Sequence, residues 1–125
     1  MIEIRHHILP GIGVIRIGGH AGAGEYGSDV ICAAVSALTM TLGKRLRRAD
    51  TQIGNGKAQI IYSLRARTER EAAEFALCGY RWLAEEYPEN VQYRETAGTD
   101  DVYEDFIKCQ INRHNHSEKT RRKTR

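Results

Sequence analysis

From Val30 to Leu42 the chain runs thirteen residues without a charge, and this run sets the terms for everything around it. A stretch of that length is too short to span a bilayer and reads instead as a helix inside a core. Val30, Ile31, Ala33, Ala34, Val35, Ala37 and Leu38 make its first half apolar nearly all round, which predicts burial on most sides. Ser28 or Asp29 is expected as N-cap, accepting a hydrogen bond from a backbone N–H of the first turn. Lys44, Arg45, Arg47 and Arg48 crowd the other end, where cations suit the negative pole of the helix dipole. At 125 residues the chain has room for one domain and one modest core around this helix.

The flanking segments supply a sheet. Ile2 to Leu9 is β-compatible, and Pro10-Gly11 turns it into a second strand, "IGVIRIGG". "GNG" at Gly54 to Gly56 marks a hairpin joining about Ala49–Ile53 to "AQIIYSLRA". Thr68 and Glu71 are spaced as a capping box for a second helix. Its Ala72, Phe75, Ala76, Tyr80 and Leu83 recur every three or four residues, and Pro88 stops it. Tyr80 and Trp82 are expected to pack this helix on the sheet, with Cys78 in the core. "NVQYRE" returns as a last strand. The fold class is α+β: a mostly antiparallel sheet with two helices, in the order β-β-α-β-β-α-β. Residues 1–97 form the domain, 98–111 ("DDVYEDFIKCQI" with its two leading residues) a short amphipathic helix, and 112–125 a basic, disordered tail.

Composition excludes several functions. Apolar residues at 41% and charged residues at 28% are ordinary for a globular chain and argue against membrane residence. The net charge of +3 is unevenly spread. Residues 112–125 hold six Lys/Arg against one acid, a net of +5, which leaves −2 for residues 1–111. Basicity therefore speaks for the tail alone. Cys32, Cys78 and Cys109 fit neither a zinc spacing nor an even disulfide framework. With no secretory signal ahead of them they point to the reducing cytoplasm. His6, His7, His114 and His116 converge on no known ligand spacing, so no metal is expected.

Gly22-Ala23-Gly24-Glu25-Tyr26-Gly27 matches the dinucleotide pattern G-x-G-x-x-G between a strand and a helix. Three features oppose that reading. The first glycine comes several residues after the strand. The helix should begin inside the pattern, whereas Glu25 and Asp29 put negative charge where a phosphate would sit. Hairpin-linked strands also leave no room for the halves of a doubly wound sheet. No cofactor is expected.

A cysteine nucleophile suits the same stretch better. If Ser28 or Asp29 caps the helix, Cys32 falls in its first turn, where free N–H groups and the dipole favour a thiolate. The Asp29 carboxylate opposes this unless it caps the backbone. His20, at the end of the second strand, is the candidate base. The bland alternative is a small apolar filler and a surface histidine.

"GHA" at Gly19 to Ala21, followed by "GSDVICAAVS" from Gly27 to Ser36, resembles the Prp family of ribosomal-processing cysteine proteases. The likeness includes the His20-to-Cys32 spacing, the aspartate three before the cysteine and the serine four after it. It implies a small homodimer that removes an N-terminal extension from a large-subunit ribosomal protein. Carried over residue by residue, Cys32 would be nucleophile and His20 general base, with Gly19, Asp29 and Ser36 at supporting family positions. The glycine loop, through Gly22, Gly24 and Gly27, would order over the bound peptide, since residues without Cβ admit a close backbone. Amides of Cys32 and Ala33 would serve as oxyanion donors.

Residues 98–125 go beyond the family core. The alternatives are a non-catalytic ribosome- or RNA-associated module using the basic tail, or a phage-type homologue processing a capsid or scaffold protein. The tail's +5 offers a weak RNA contact through phosphates.

Overall fold

The computed structural model describes residues 1–19, 26–46, 50–54 and 56–97, with backbone alone for 26–29 and 50–54. Seven elements follow in the expected order: β1 (Ile2–Leu9), β2 (Ile12–Gly18), α1 (Tyr26–Arg45), β3 (Asp50–Gly54), β4 (Lys57–Ser63), α2 (Arg67–Glu86) and β5 (Val91–Ala97). The strands form one sheet in the order β3-β4-β2-β1-β5. Pairing is antiparallel throughout except between β1 and β5, which run parallel. That exception has a cause in the connections. β1 to β2 closes through the Pro10-Gly11 turn, with Gly11 at φ +79°, but α2 carries the chain back across the sheet before β5 is laid down.

Both helices cover one face. Ile2, Ile4, Ile15, Ile60, Tyr62 and Val91 rise from the strands to meet Ile31, Val35, Leu42 and Leu46 of α1. Ala73, Ala76, Leu77, Tyr80 and Leu83 of α2 complete the same core. Each large aliphatic side chain removed from water here contributes about 1.5–3 kcal/mol. A second, smaller cluster of Leu9, Val14, Ile12 and Ile61 lies apart from it, on the alternate residues that face the other side of the sheet.

Several expectations need correction. The first helix is not buried on most sides. Val30 is 63% and Met40 54% exposed, because a sheet beneath and one helix alongside leave its outer face open. On α2, Phe75 is 79% and Trp82 55% exposed, and Cys78 is exposed too. The real inward stripe is Ala73-Ala76-Leu77-Tyr80-Leu83, offset by one residue from the Ala72-Phe75 row. Neither helix has the expected cap. α1 begins at Tyr26, so Ser28 and Asp29 already lie inside it. α2 begins at Arg67, so Thr68 is inside its first turn and Glu71 pairs with Arg67 at 3.0 Å. The N-cap is Ala66, which carries no side-chain cap; just ahead of it the Ser63 hydroxyl accepts from the amides of Arg65 and Ala66 at 3.2 and 3.1 Å and so fixes the turn that leads into the helix. Glu69 reaches back to accept from the Ser63 amide at 3.2 Å. Arg47 and Arg48, together with residues 98–125, lie outside the described residues.

Candidate active site

One end of the sheet meets the N-terminal half of α1 and leaves a cavity of about 210 Å³. Cys32, Ser36 and Met40 line it from the helix, one turn apart from each other. Ile2, Ile17 and Gly19 line it from β1 and the end of β2. Lys57 and Ala58 close it from β4, where they pair in register with Gly18 and Ile17. The walls are largely apolar, and the residues with polar side chains in that lining are Ser36, Thr39 and Lys57, beside Cys32 itself. Cys32 is half-buried and rests against the main core, which fixes its sulfur at the cavity wall.

Gly19 holds the site's most constrained backbone. Its φ of +88° is left-handed, and a Cβ there would run into the Met1 carbonyl. Only glycine fits both conditions. The position therefore sets the direction in which the chain leaves β2, immediately before His20.

The structure thus brings Cys32, Ser36 and Gly19 around one cavity. His20, Gly22 and Gly24 lie outside the described residues. Gly27 is the second residue of α1 rather than part of the loop, and Asp29 occupies its first turn. Cys32 is the seventh helical residue, in the second turn and not the first. An interior helical amide bonds the carbonyl four residues back, and only the first four amides stay open. The amides of Cys32 and Ala33 are therefore engaged in the helix and are not oxyanion donors in this structure.

The early start of α1 also bears on the dinucleotide pattern. The helix does begin within Gly22–Gly27, so that objection falls. The mostly antiparallel sheet upholds the objection from hairpin-linked strands. Among the described residues no group of three or more His, Cys, Asp or Glu could hold a metal ion. No described helix is long and apolar enough to cross a membrane.

Sequence reasoning missed Met40, Lys57, Ala58, Ile2 and Ile17 as cavity residues. Two signals would have found most of them. Met40 follows Cys32 by eight residues on one helical face. The two predicted hairpins, laid side by side, bring the start of β4 to the end of β2.

Comparison with known proteins agrees with this arrangement. The family model described as cysteine protease Prp matches residues 1–92. None of the curated proteins compared is similar enough to count as a match. Among solved structures, SMU.848 from Streptococcus mutans is 31% identical with a TM-score of 0.67, covering 78% of this chain and 96% of its own. The essential ribosomal processing protease Prp from S. aureus, solved with a covalently linked product peptide, is 23% identical with a TM-score of 0.67. It covers 77% of this chain and all of its own. The same enzyme with a substrate peptide has a TM-score of 0.66. At that identity the S. aureus structures speak for the fold.

Proposed function

Because the chain belongs to the cysteine protease Prp family and is a cysteine protease, we propose that it is a ribosomal-processing endopeptidase. Its substrate is the N-terminal extension of a large-subunit ribosomal protein. Cys32 is the nucleophile and His20 the general base. The observation that carries this reading is the apolar cavity against the Cys32 sulfur, bounded by the constrained Gly19 that immediately precedes His20.

The chemistry balances with these two side chains. His20 takes the Cys32 proton, and the thiolate sulfur attacks the scissile carbonyl carbon, forming a C–S bond. As the C–N bond breaks, His20 returns that proton to the leaving amine. Water then attacks the thioester, gives a proton to His20 and displaces the sulfur, which regains it. The cavity holds an apolar side chain next to the scissile bond and so orients the carbonyl toward the sulfur. Gly22 and Gly24 let a peptide backbone approach closely, and Ser36 supports the site one turn beyond the nucleophile. The work takes place in the cytoplasm, and the chain acts as a homodimer, which sedimentation at micromolar concentration tests.

The experiment is cleavage of a peptide spanning the junction between extension and mature ribosomal protein. Wild-type protein should yield two fragments. Cys32→Ala should lower the rate by at least about 10³-fold, and His20→Ala by about 10²–10⁴-fold. Full activity in Cys32→Ala would overturn the assignment, and an uncleaved peptide with wild type would overturn the substrate.

A further inference from the structure

The Cys32 cavity lies on one particular side of α1, and that side faces one edge of the sheet. Cys32, Ser36 and Met40 run along one flank of the helix. Leu38, Thr41 and Arg45, on the opposite flank, line a groove with Ala72, Phe75 and Ala76 of α2. α2 in turn lies toward β5, where Arg81 stands 4.0 Å from Glu95 and 5.8 Å from the Tyr93 ring centroid. Both helices cover the same sheet face, so the flank that carries Cys32 is turned away from β5 and toward β3.

β3 is an edge strand. Among the described residues its one neighbour is β4, and the pairing runs from Asp50↔Ile61 to Gly54↔Lys57 without a bulge. Gly54 and Lys57 close a two-residue turn, with Gly56 at φ +71°. Such a closing pair exchanges both of its backbone hydrogen bonds. Bonded and non-bonded pairs then alternate, so the N–H and C=O of Gln52 and Gly54 point at β4. Those of Thr51 and Ile53 point outward. Edges of this kind are usually blunted by lysine, proline or a bulge. β3 reads DTQIG and has none of these.

The same hairpin reaches the cavity. Gly56, Lys57 and Ala58 line it, and Lys57 and Ala58 pair with Gly54 and Ile53 of β3. A strand added outside β3 would lie about 10 Å from β4, two strand spacings away, which an extended chain crosses in about three residues. Glycines at 54 and 56 leave that crossing clear of Cβ atoms.

Resting on the reading of the chain as an endopeptidase, we propose that the substrate peptide adds to the sheet as a strand along β3. It is hydrogen-bonded to Thr51 and Ile53, starting about three residues from the scissile bond. Main-chain pairing supplies affinity for an extended segment, and the cavity supplies the choice of side chain.

Amide hydrogen exchange in full-length Cys32→Ala protein, with the junction peptide as probe, tests this. At saturating peptide the Thr51 and Ile53 amides should exchange at least about 10-fold more slowly. Gln52 and Gly54, already paired with β4, should change by less than about twofold. Methylating the peptide amides one at a time should weaken binding at two positions separated by two residues, the spacing of one strand edge. Thr51→Pro removes an outward donor and no bond to β4, and should raise KM of the wild-type enzyme about 3–10-fold with kcat within about twofold. The exchange measurement decides the matter if that variant fails to fold. Unaltered exchange at Thr51 and Ile53, whether the peptide binds elsewhere or not at all, would overturn the inference even where wild-type protein cleaves the peptide. Protection of both amides without cleavage by wild type would instead overturn the endopeptidase reading and leave the edge-strand site standing.

Discussion

The buried imidazole of His6 and the hydroxyl of Tyr62 meet at 2.7 Å from Nε2 to Oη, although β2 lies between their strands. Gly13 makes the meeting possible. It pairs with Tyr62 across β2 and β4, and the tyrosine ring lies over it where a Cβ would otherwise stand. The ring is rigid and held at its far end by His6, so it cannot swing aside cheaply. Gly13→Ala should lower unfolding stability by about 1–3 kcal/mol, read from urea denaturation. Tyr62→Phe in that background should worsen stability by less than it does alone, since the alanine has already displaced the ring.

His6 also makes stability depend on pH. Burial pushes its pKa below the ordinary 6.5; the Glu95 carboxylate, 3.7 Å from Nδ1, pulls the other way, and Arg81 adds to the lowering. The unfolded chain therefore binds the proton more readily than the folded one. The stabilisation is complete above pH 6.5, is lost as pH falls below it, and the loss levels off once the folded-state histidine also protonates. Urea midpoints at pH 7.5 and 5.5 should show wild type weaker at the lower value. His6→Gln should reduce that difference, and an equal difference in both proteins would contradict the reading.

Thr39 of α1 and Tyr80 of α2 join the helices through a buried hydrogen bond. The Thr39 hydroxyl donates to the Val35 carbonyl at 2.7 Å, which leaves the Tyr80 hydroxyl to donate to Oγ1, also at 2.7 Å. Burial pushes the Tyr80 hydroxyl pKa up to about 12. Thr39→Val keeps the shape but strands that hydroxyl, and should cost about 1–3 kcal/mol. Adding Tyr80→Phe should recover part of the loss in the same denaturation assay.

Ala58 sits on the cavity wall opposite α1. A tryptophan there would occupy the space assigned to the substrate side chain. Ala58→Trp should lower kcat/KM for the junction peptide by about 10–100-fold, while Tm moves by no more than a few degrees. Unchanged kcat/KM would show that the cavity does not take substrate.

The element order was legible because each boundary carried its own chemistry: Pro10-Gly11, the GNG turn and Pro88 all end elements where expected. The parallel seat of β5 was not, since nothing within Val91–Ala97 says which edge of the sheet it joins. Helix starts were misplaced because Ser28 and Thr68 resemble caps in isolation, whereas α2 starts without a side-chain cap and its entry is set by the Ser63–Ala66 turn, which depends on how β4 leaves the sheet. Burial failed on Phe75 and Trp82 because hydrophobicity shows which residues favour a core, not how much core a two-layer domain provides. At the site, the Cys32–Ser36 spacing gave one shared helix face. Met40 extends that same face by one further turn, whereas Lys57 and Ala58 reach the cavity through the pairing of β4 with β2, which no residue of α1 reveals.

The central claim is that Cys32 is the group that becomes covalently bonded to substrate, under the control of His20. The direct measurement uses a peptide of the ribosomal extension ending in a vinyl sulfone, with the modified residue identified by mass spectrometry of the full-length protein. The account predicts a single adduct on Cys32, none on Cys78 or Cys109, and labelling slowed at least about 10-fold by His20→Ala. Labelling of Cys78 at a comparable rate, or a Cys32 rate indifferent to His20→Ala, would contradict it.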